Sequence, residues 1–153
     1  MPSTKSAADL TAHLGYWLRY VSNHVSQAFA RKVEGRGVTV AEWVLMRHLL
    51  DEPAVAPSHL AERLGMTRGA ISKLADRLIA KSLLVRVANP EDGRAHTLSL
   101  TRAGRALVPG LAALADANDA EFFDHLSLRE RAALLRALRG IVEKRGLKSP
   151  PVD

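Results

Sequence analysis

Apolar residues recur at spacings of three and four along most of this chain, and the breaks in that pattern mark where its helices must end. The first periodic stretch predicts a long helix from Leu10 to about Arg31. Leu14, Leu18, Val21, Val25 and Phe29 form an aliphatic stripe suited to a core or to a second subunit. Beside it run His13, Trp17, Tyr20 and His24, with Tyr16 adjacent. Gly35-Arg36-Gly37 ends the helix. Thr39 and Glu42 then have capping-box spacing, in which each side chain accepts a hydrogen bond from the other's backbone N–H. Trp43, Leu45, Met46, Leu49 and Leu50 make the buried side of this second helix, and residues 51–57 read as a connecting loop.

The stretch from Pro57 to Leu78 reads as helix, turn, helix. Pro57 suits a first helical position, where a missing N–H costs nothing, and Leu60, Ala61 and Leu64 give one apolar face. Gly65 supplies a left-handed stop and Thr67 a cap for the next helix. Ala70, Ile71, Leu74, Ala75, Leu78 and Ile79 lie on its inner side, which leaves Arg68, Gly69, Ser72, Lys73, Asp76 and Arg77 outside. Short polar and cationic side chains near a helix start suit a DNA major groove, where arginine and lysine reach guanine edges or phosphates.

Behind this pair the period changes to two. His96, Leu98 and Leu100 alternate, and Asn89-Pro90-Glu91-Asp92-Gly93 forbids a helix, so Leu83–Thr101 reads as strand, turn, strand. A hairpin directly after a helix-turn-helix makes a wing. Arg86 and Arg94 stand at its base and tip, where an arginine can enter a narrow, negative minor groove. Thr101 is placed to cap the following helix, with Arg102 and Arg105 in its first turn near the DNA backbone. Pro109-Gly110 interrupts the pattern of Leu107, Val108, Leu111 and Leu114, which predicts a kink or break there. Ser127 and Glu130 form a second capping box, opening a last helix with Leu128, Leu134, Leu135, Leu138, Ile141 and Val142 on one side.

The expected fold is therefore mostly α with a small β-wing, an α+β winged helix-turn-helix core. Residues 38–105 are its DNA-binding domain, 6–35 and 106–146 a helical dimerisation region, and 147–153 a flexible tail. The end helices carry more aliphatic surface than so thin a module can cover, and pairing of two chains is the natural outlet. A two-fold dimer would present two recognition helices to successive major-groove turns, which predicts a pseudopalindromic site with half-sites about 10 bp, or a small multiple of one turn, apart.

The run from Leu60 to Thr101, with Asp92-Gly93-Arg94 at the wing tip and Leu100-Thr101 leading into the next helix, resembles the MarR family of winged-helix transcriptional regulators. More loosely, the likeness extends over nearly the whole chain. It implies a homodimer, more often a repressor than an activator. It implies too that Arg68, Gly69, Ser72 and Lys73 approach the major groove, while Arg94 enters the minor groove, oriented by Asp92. Lys73, Arg77, Arg86 and Arg102 are the expected phosphate contacts. The resemblance further implies a pocket between the dimerisation helices and the winged helix for a phenolic or aromatic carboxylate effector. His13, Tyr16, Trp17, Tyr20, His24, Trp43 and His48 are the candidates to line it, against the alternative that they are ordinary packing. Two positions depart from the family: Ser82 stands where members usually have glycine, and Gly93 where a larger basic residue is common.

Charge sharpens this picture. Of a formal net +6, residues 60–105 hold nine Lys or Arg against four Asp or Glu, a balance of +5, whereas residues 106–153 balance seven against seven. Such concentration is the footprint expected of a nucleic-acid contact. The 153 residues suffice for one compact unit. No apolar run is long enough to span a membrane and residues 1–9 carry no apolar signal core, so a cytoplasmic location without a membrane partner is expected. With no cysteine, thiol switches and cysteine zinc sites are excluded. The six histidines lack the i, i+4 pairing of a helical metal site, and Ser72 and Ser99 lack a nucleophile-elbow context. No enzyme, metal or cofactor is therefore expected. The alternative function is a constitutive architectural DNA-binding protein without an effector.

Overall fold

The computed structural model describes residues 6–89 and 91–148, with the side chains of residues 89 and 92–94 outside that description. A 3₁₀ turn, Leu10–Ala12, leads into α1 (Leu14–Glu34), and α2 (Val40–Leu50), α3 (Pro57–Leu64) and α4 (Arg68–Ala80) follow. The hairpin β1 (Leu84–Asn89) and β2 (Asp92–Leu100) precedes α5 (Arg102–Phe123) and α6 (Leu128–Arg145). The winged helix-turn-helix and the mostly α architecture are as the sequence predicts.

The capping chemistry sets these boundaries. Both capping boxes form, Thr39 with Glu42 and Ser127 with Glu130. The Thr67 hydroxyl accepts from the Ala70 N–H at 3.1 Å and the Thr101 hydroxyl from the Gly104 N–H at 3.0 Å. Gly65 closes α3 at φ +64°, a conformation that side-chain-bearing residues adopt at a cost. One core then joins α1, α2, the helix-turn-helix, the wing root and α5 through Val33, Leu45, Met46, Leu49, Leu60, Ile71, Leu78, Leu98, Val108 and Leu111.

The wing pairs antiparallel, Leu84 opposite Leu100 and Arg86 opposite Leu98, with an irregularity between Ala88 and Asn89. Alternation sends Leu84 into the core, while Val85 and Val87 lie exposed on the other face. Val55, within the stretch read as a connecting loop, is buried and bridges Leu98: its N–H donates to the Leu98 carbonyl at 3.0 Å, and its carbonyl accepts from the Leu98 N–H at 2.8 Å. The loop is thus stitched to the wing root.

Two further expectations need correction. The first helix does not begin at Leu10: the 3₁₀ turn comes first, and His13 is extended at φ −99°, so it lies before the helical stripe. The turn's Thr11 carbonyl is taken up by the Trp17 indole N–H at 2.9 Å. Secondly, of the kink or break expected at Pro109, the break does not occur: α5 is continuous through it. The proline deprives only the Arg105 carbonyl of its helical donor, and its buried neighbours Val108 and Leu111 anchor the helix to the core on either side. The aliphatic stripe of α1, suited to a core or to a second subunit, divides. Phe29 packs on the core, but Leu14, Leu18 and Val21 are exposed.

At Ser82 the backbone takes φ +60°, the left-handed conformation that explains why glycine suits this turn. A serine there costs about 1 kcal/mol relative to glycine. The Thr101 hydroxyl donates to the Ser82 carbonyl at 2.7 Å and so holds the strained turn in place. The tail expectation falls partly on residues 149–153, outside the described residues.

Candidate nucleic-acid interface

The two faces of α4 divide cleanly. Ile71, Leu74, Ala75 and Leu78 are buried, and Arg68, Gly69, Ser72, Lys73, Asp76 and Arg77 are exposed. The Gly65 turn holds α3 behind it, so the outward face of α4 stands clear of the chain. Arg68, Lys73 and Arg77, together with Arg102 at the start of α5, make no hydrogen bond or ion pair with another described residue. Their charges are unspent on the fold.

The other basic residues of this segment behave differently. The Arg63 guanidinium meets Glu52 at 2.6 Å, and Arg105 donates to the Leu50 carbonyl at 3.3 Å. Lys81 is engaged with Glu42, and Arg86, read as a phosphate contact, reaches Asp76 on α4 at 2.6 Å. A charge count along the chain treats these cations alike, whereas the fold assigns several of them to ion pairs. The roles expected of the Asp92 and Arg94 side chains lie outside the described residues; the backbone places both positions in β2 at the wing tip.

The Glu42 site carries information that the linear pattern hides. Its carboxylate is fully buried and accepts from Lys81 Nζ at 2.9 Å on both oxygens, and from the Thr39 N–H at 2.9 Å. The same ammonium donates to the Gly37 carbonyl at 2.9 Å. Burial alone would raise the carboxyl's pKa, but the bonds from Lys81 and Thr39 outweigh it and hold the carboxyl below its ordinary value. The C-terminus of α4 is thereby fastened to the start of α2. Glu42 is recognisable in the sequence as a capping residue, but its partner 39 positions away is not.

The aromatic candidates do not form one set. Tyr16, Trp17, Tyr20 and His24 make a ladder on α1, with Tyr16 and Trp17 edge to face at 5.4 Å and Tyr20 stacked on His24 at 5.2 Å. Trp17 and Tyr20 are about half exposed, at 49% and 52%. His13 precedes the ladder. Trp43 instead sits in the core, edge to face with Phe29 at 6.4 Å. His48 is exposed beside an open depression that it lines with Arg47, Asp51, Glu52 and Arg63. Among the described residues no group of three or more His, Asp or Glu could hold a metal ion, and no helix is long and apolar enough to cross a membrane.

A helix-turn-helix whose second helix offers unpaired cations and small residues to the outside, flanked by an antiparallel hairpin, defines a winged helix-turn-helix protein. Comparison with known proteins places it more closely. The model of the MarR family matches residues 36–95, which span the second helix, the helix-turn-helix and most of the wing. The HTH-type transcriptional repressor MdtR of Bacillus subtilis is 31% identical over 100 residues, 65% of this chain and 64% of that protein, so the match spans a little under two thirds of its length. A crystal structure of a probable transcriptional regulator from Pseudomonas aeruginosa superposes with a TM-score of 0.77 at 29% identity, covering 87% of this chain and 99% of the other. The E. coli MarR variant crystallised with operator DNA gives 0.76 at 23% identity over 84% and 93% of the two chains, a likeness of fold. By these likenesses the chain is similar to the MarR family of winged helix-turn-helix transcriptional regulators, most closely over residues 36–95.

Proposed function

We propose that this chain is a sequence-specific DNA-binding repressor that acts as a homodimer on a pseudopalindromic operator. The observation that carries this reading is the outward face of α4, where Arg68, Lys73 and Arg77 have no partner among the described residues and stand beside the small Gly69 and Ser72. Phosphates are the natural counter-charges. Lys73, Arg77, Arg86 and Arg102 supply the backbone contacts, and Arg68 and Ser72 in the major groove with Arg94 in the minor groove supply discrimination. Asp92 orients Arg94. Residues 38–105 form the reading domain.

Residues 6–35 and 106–146 pair the two copies. Supporting this, every residue of α6 is exposed, including Leu135, Ile141 and Val142, and Leu14 on α1 is 81% exposed. Surfaces so apolar are stable in water when a partner covers them. The α1 ladder of Tyr16, Trp17, Tyr20 and His24 suits a flat aromatic effector. The other candidates, His13, Trp43 and His48, stand apart from the ladder, so the lining proposed is the ladder itself. Such an effector releases DNA only through different affinities for the two dimer shapes; a tenfold effect corresponds to about 1.4 kcal/mol. Action on DNA places the protein in the cytoplasm.

Lys73→Ala provides the test. Operator affinity is expected to fall, and the slope of log K against log salt to flatten by about one unit if the ammonium neutralises one phosphate. The variant and the wild type are titrated with labelled operator across a salt series. An unchanged slope with unchanged affinity would remove the α4 face from the contact.

A further inference from the structure

Asp76 is out of place on a surface meant for phosphates. It lies on the exposed side of α4 among Gly69, Ser72 and Lys73, where its charge opposes the approach of DNA. Two cations on its own helix are near, Lys73 three residues before it and Arg77 beside it, yet neither pairs with it. Asp76 is joined instead to Arg86, on the first strand of the wing, with Nη2 to Oδ1 at 2.6 Å.

The wing is anchored at its root. Leu84, Leu98 and Leu100 are buried, Val55 bridges Leu98, and Ser99 donates to the Pro53 carbonyl at 2.6 Å. Between α4 and the wing, the Asp76–Arg86 pair is a side-chain tie, beside the backbone bond from the Leu83 N–H to the Leu78 carbonyl at 3.0 Å. Alternation along β1 places Arg86 on the same face as the buried Leu84, turned toward α4. Its guanidinium has five N–H donors, and Nη2 is engaged with Asp76. The side chain is 37% exposed, so the remaining donors are accessible from the outside.

We infer that Asp76 is a positioning residue: it orients Arg86 so that the free edge of the guanidinium meets a phosphate where the recognition helix and the wing converge. The inference rests on the DNA-binding reading and assigns that function to an acidic side chain. An arginine fixed by a carboxylate meets phosphate in one geometry, whereas a free one samples many and loses more side-chain freedom on binding.

The charge of Asp76 makes the test sharp. If Asp76 acts only through its charge, Asp76→Asn makes the surface more positive and tightens binding to operator and competitor DNA alike. If it positions Arg86, the same variant weakens operator binding about threefold or more, while binding to competitor DNA is unchanged or tighter. A double-mutant cycle with Arg86→Ala completes the experiment, with anisotropy at matched salt and thermal melts to show that each variant folds. The expected result is that Asp76→Asn has little further effect once Arg86 is gone. Tighter operator binding by Asp76→Asn, or full additivity of the two substitutions, would overturn the inference. So would a changed base preference, since that would put Asp76 itself on a base edge. If instead the wild type shows no preference for operator over competitor, the DNA reading fails, and the positioning role with it.

Discussion

Replacing Gly104 with alanine is expected to lower the stability of the fold by about 2 kcal/mol, against the alanine's better helix propensity. Gly104 lies in the first turn of α5, buried beneath the corner between α4 and the wing. A Cβ there would fall well inside contact distance of the Leu83 carbonyl oxygen, 3.1 Å from the carbonyl carbon and 3.3 Å from Leu100 Cδ2. That oxygen belongs to backbone and is already fixed, since the Thr101 N–H donates to it at 3.1 Å. It cannot rotate away as a side chain could. Either α5, which runs from the wing into the proposed dimerisation region, or the strained turn at Ser82, which joins α4 to the wing, must shift. Urea denaturation of wild type and Gly104→Ala measures the loss; midpoints that coincide would show that the helix–strand approach is looser than the structure describes.

Lys81→Met is expected to have a comparable or larger effect, because it strands the buried Glu42 carboxylate. Breaking a buried ion pair from one side typically costs about 3–5 kcal/mol, and the partial exposure of Lys81 and the retained Thr39 bonds reduce this to about 2–3 kcal/mol. Adding Glu42→Gln to that variant should recover part of the loss, since no charge is then left unpaired. The pH dependence has a fixed sign. Glu42 has its carboxyl held below the ordinary value in the folded state, so it contributes stability above the unfolded pKa of about 4.3. That contribution is lost as the pH falls through the lower, folded value. Urea midpoints across the acid range should therefore fall more steeply for wild type than for Glu42→Gln. Parallel profiles would mean that the pair does not hold the ionised form.

Local chemistry was legible and distant pairing was not. Caps at Thr39, Thr67, Thr101 and Ser127, the Pro57 start and the Gly65 stop act within a few residues, and each falls where the sequence predicts it. The outward face of α4 follows from helical period alone. Pro109 misleads because its effect on the backbone is local, while the contacts of Val108 and Leu111 that carry α5 through it are not. The same limit hides the ion pairs. Lys32 Nζ donates to the Asn118 side-chain oxygen at 2.9 Å across 86 positions, and Asn118 in turn donates to the Val25 carbonyl at 3.1 Å, so α1 and α5 are joined by a buried amide that no periodicity marks. Arg86 and Asp76 are only ten apart, yet they meet because the Ser82 turn folds the wing back on α4. For the aromatic residues, spacing groups Trp17, Tyr20 and His24 and puts Trp43 on the buried side of α2, but it cannot tell that His13 stays outside the helix or that Phe29 is the ring Trp43 meets.

The central claim is that the exposed face of α4 and the wing read a DNA sequence. Fluorescence anisotropy of the purified wild-type protein with DNA from just upstream of its own gene, across a salt series and in excess non-specific competitor, tests it most directly. The account predicts tight binding that resists competitor and a stoichiometry of two chains per site. Binding no tighter than to the competitor, with the same steep salt dependence, would contradict it and leave a charged architectural surface that reads nothing.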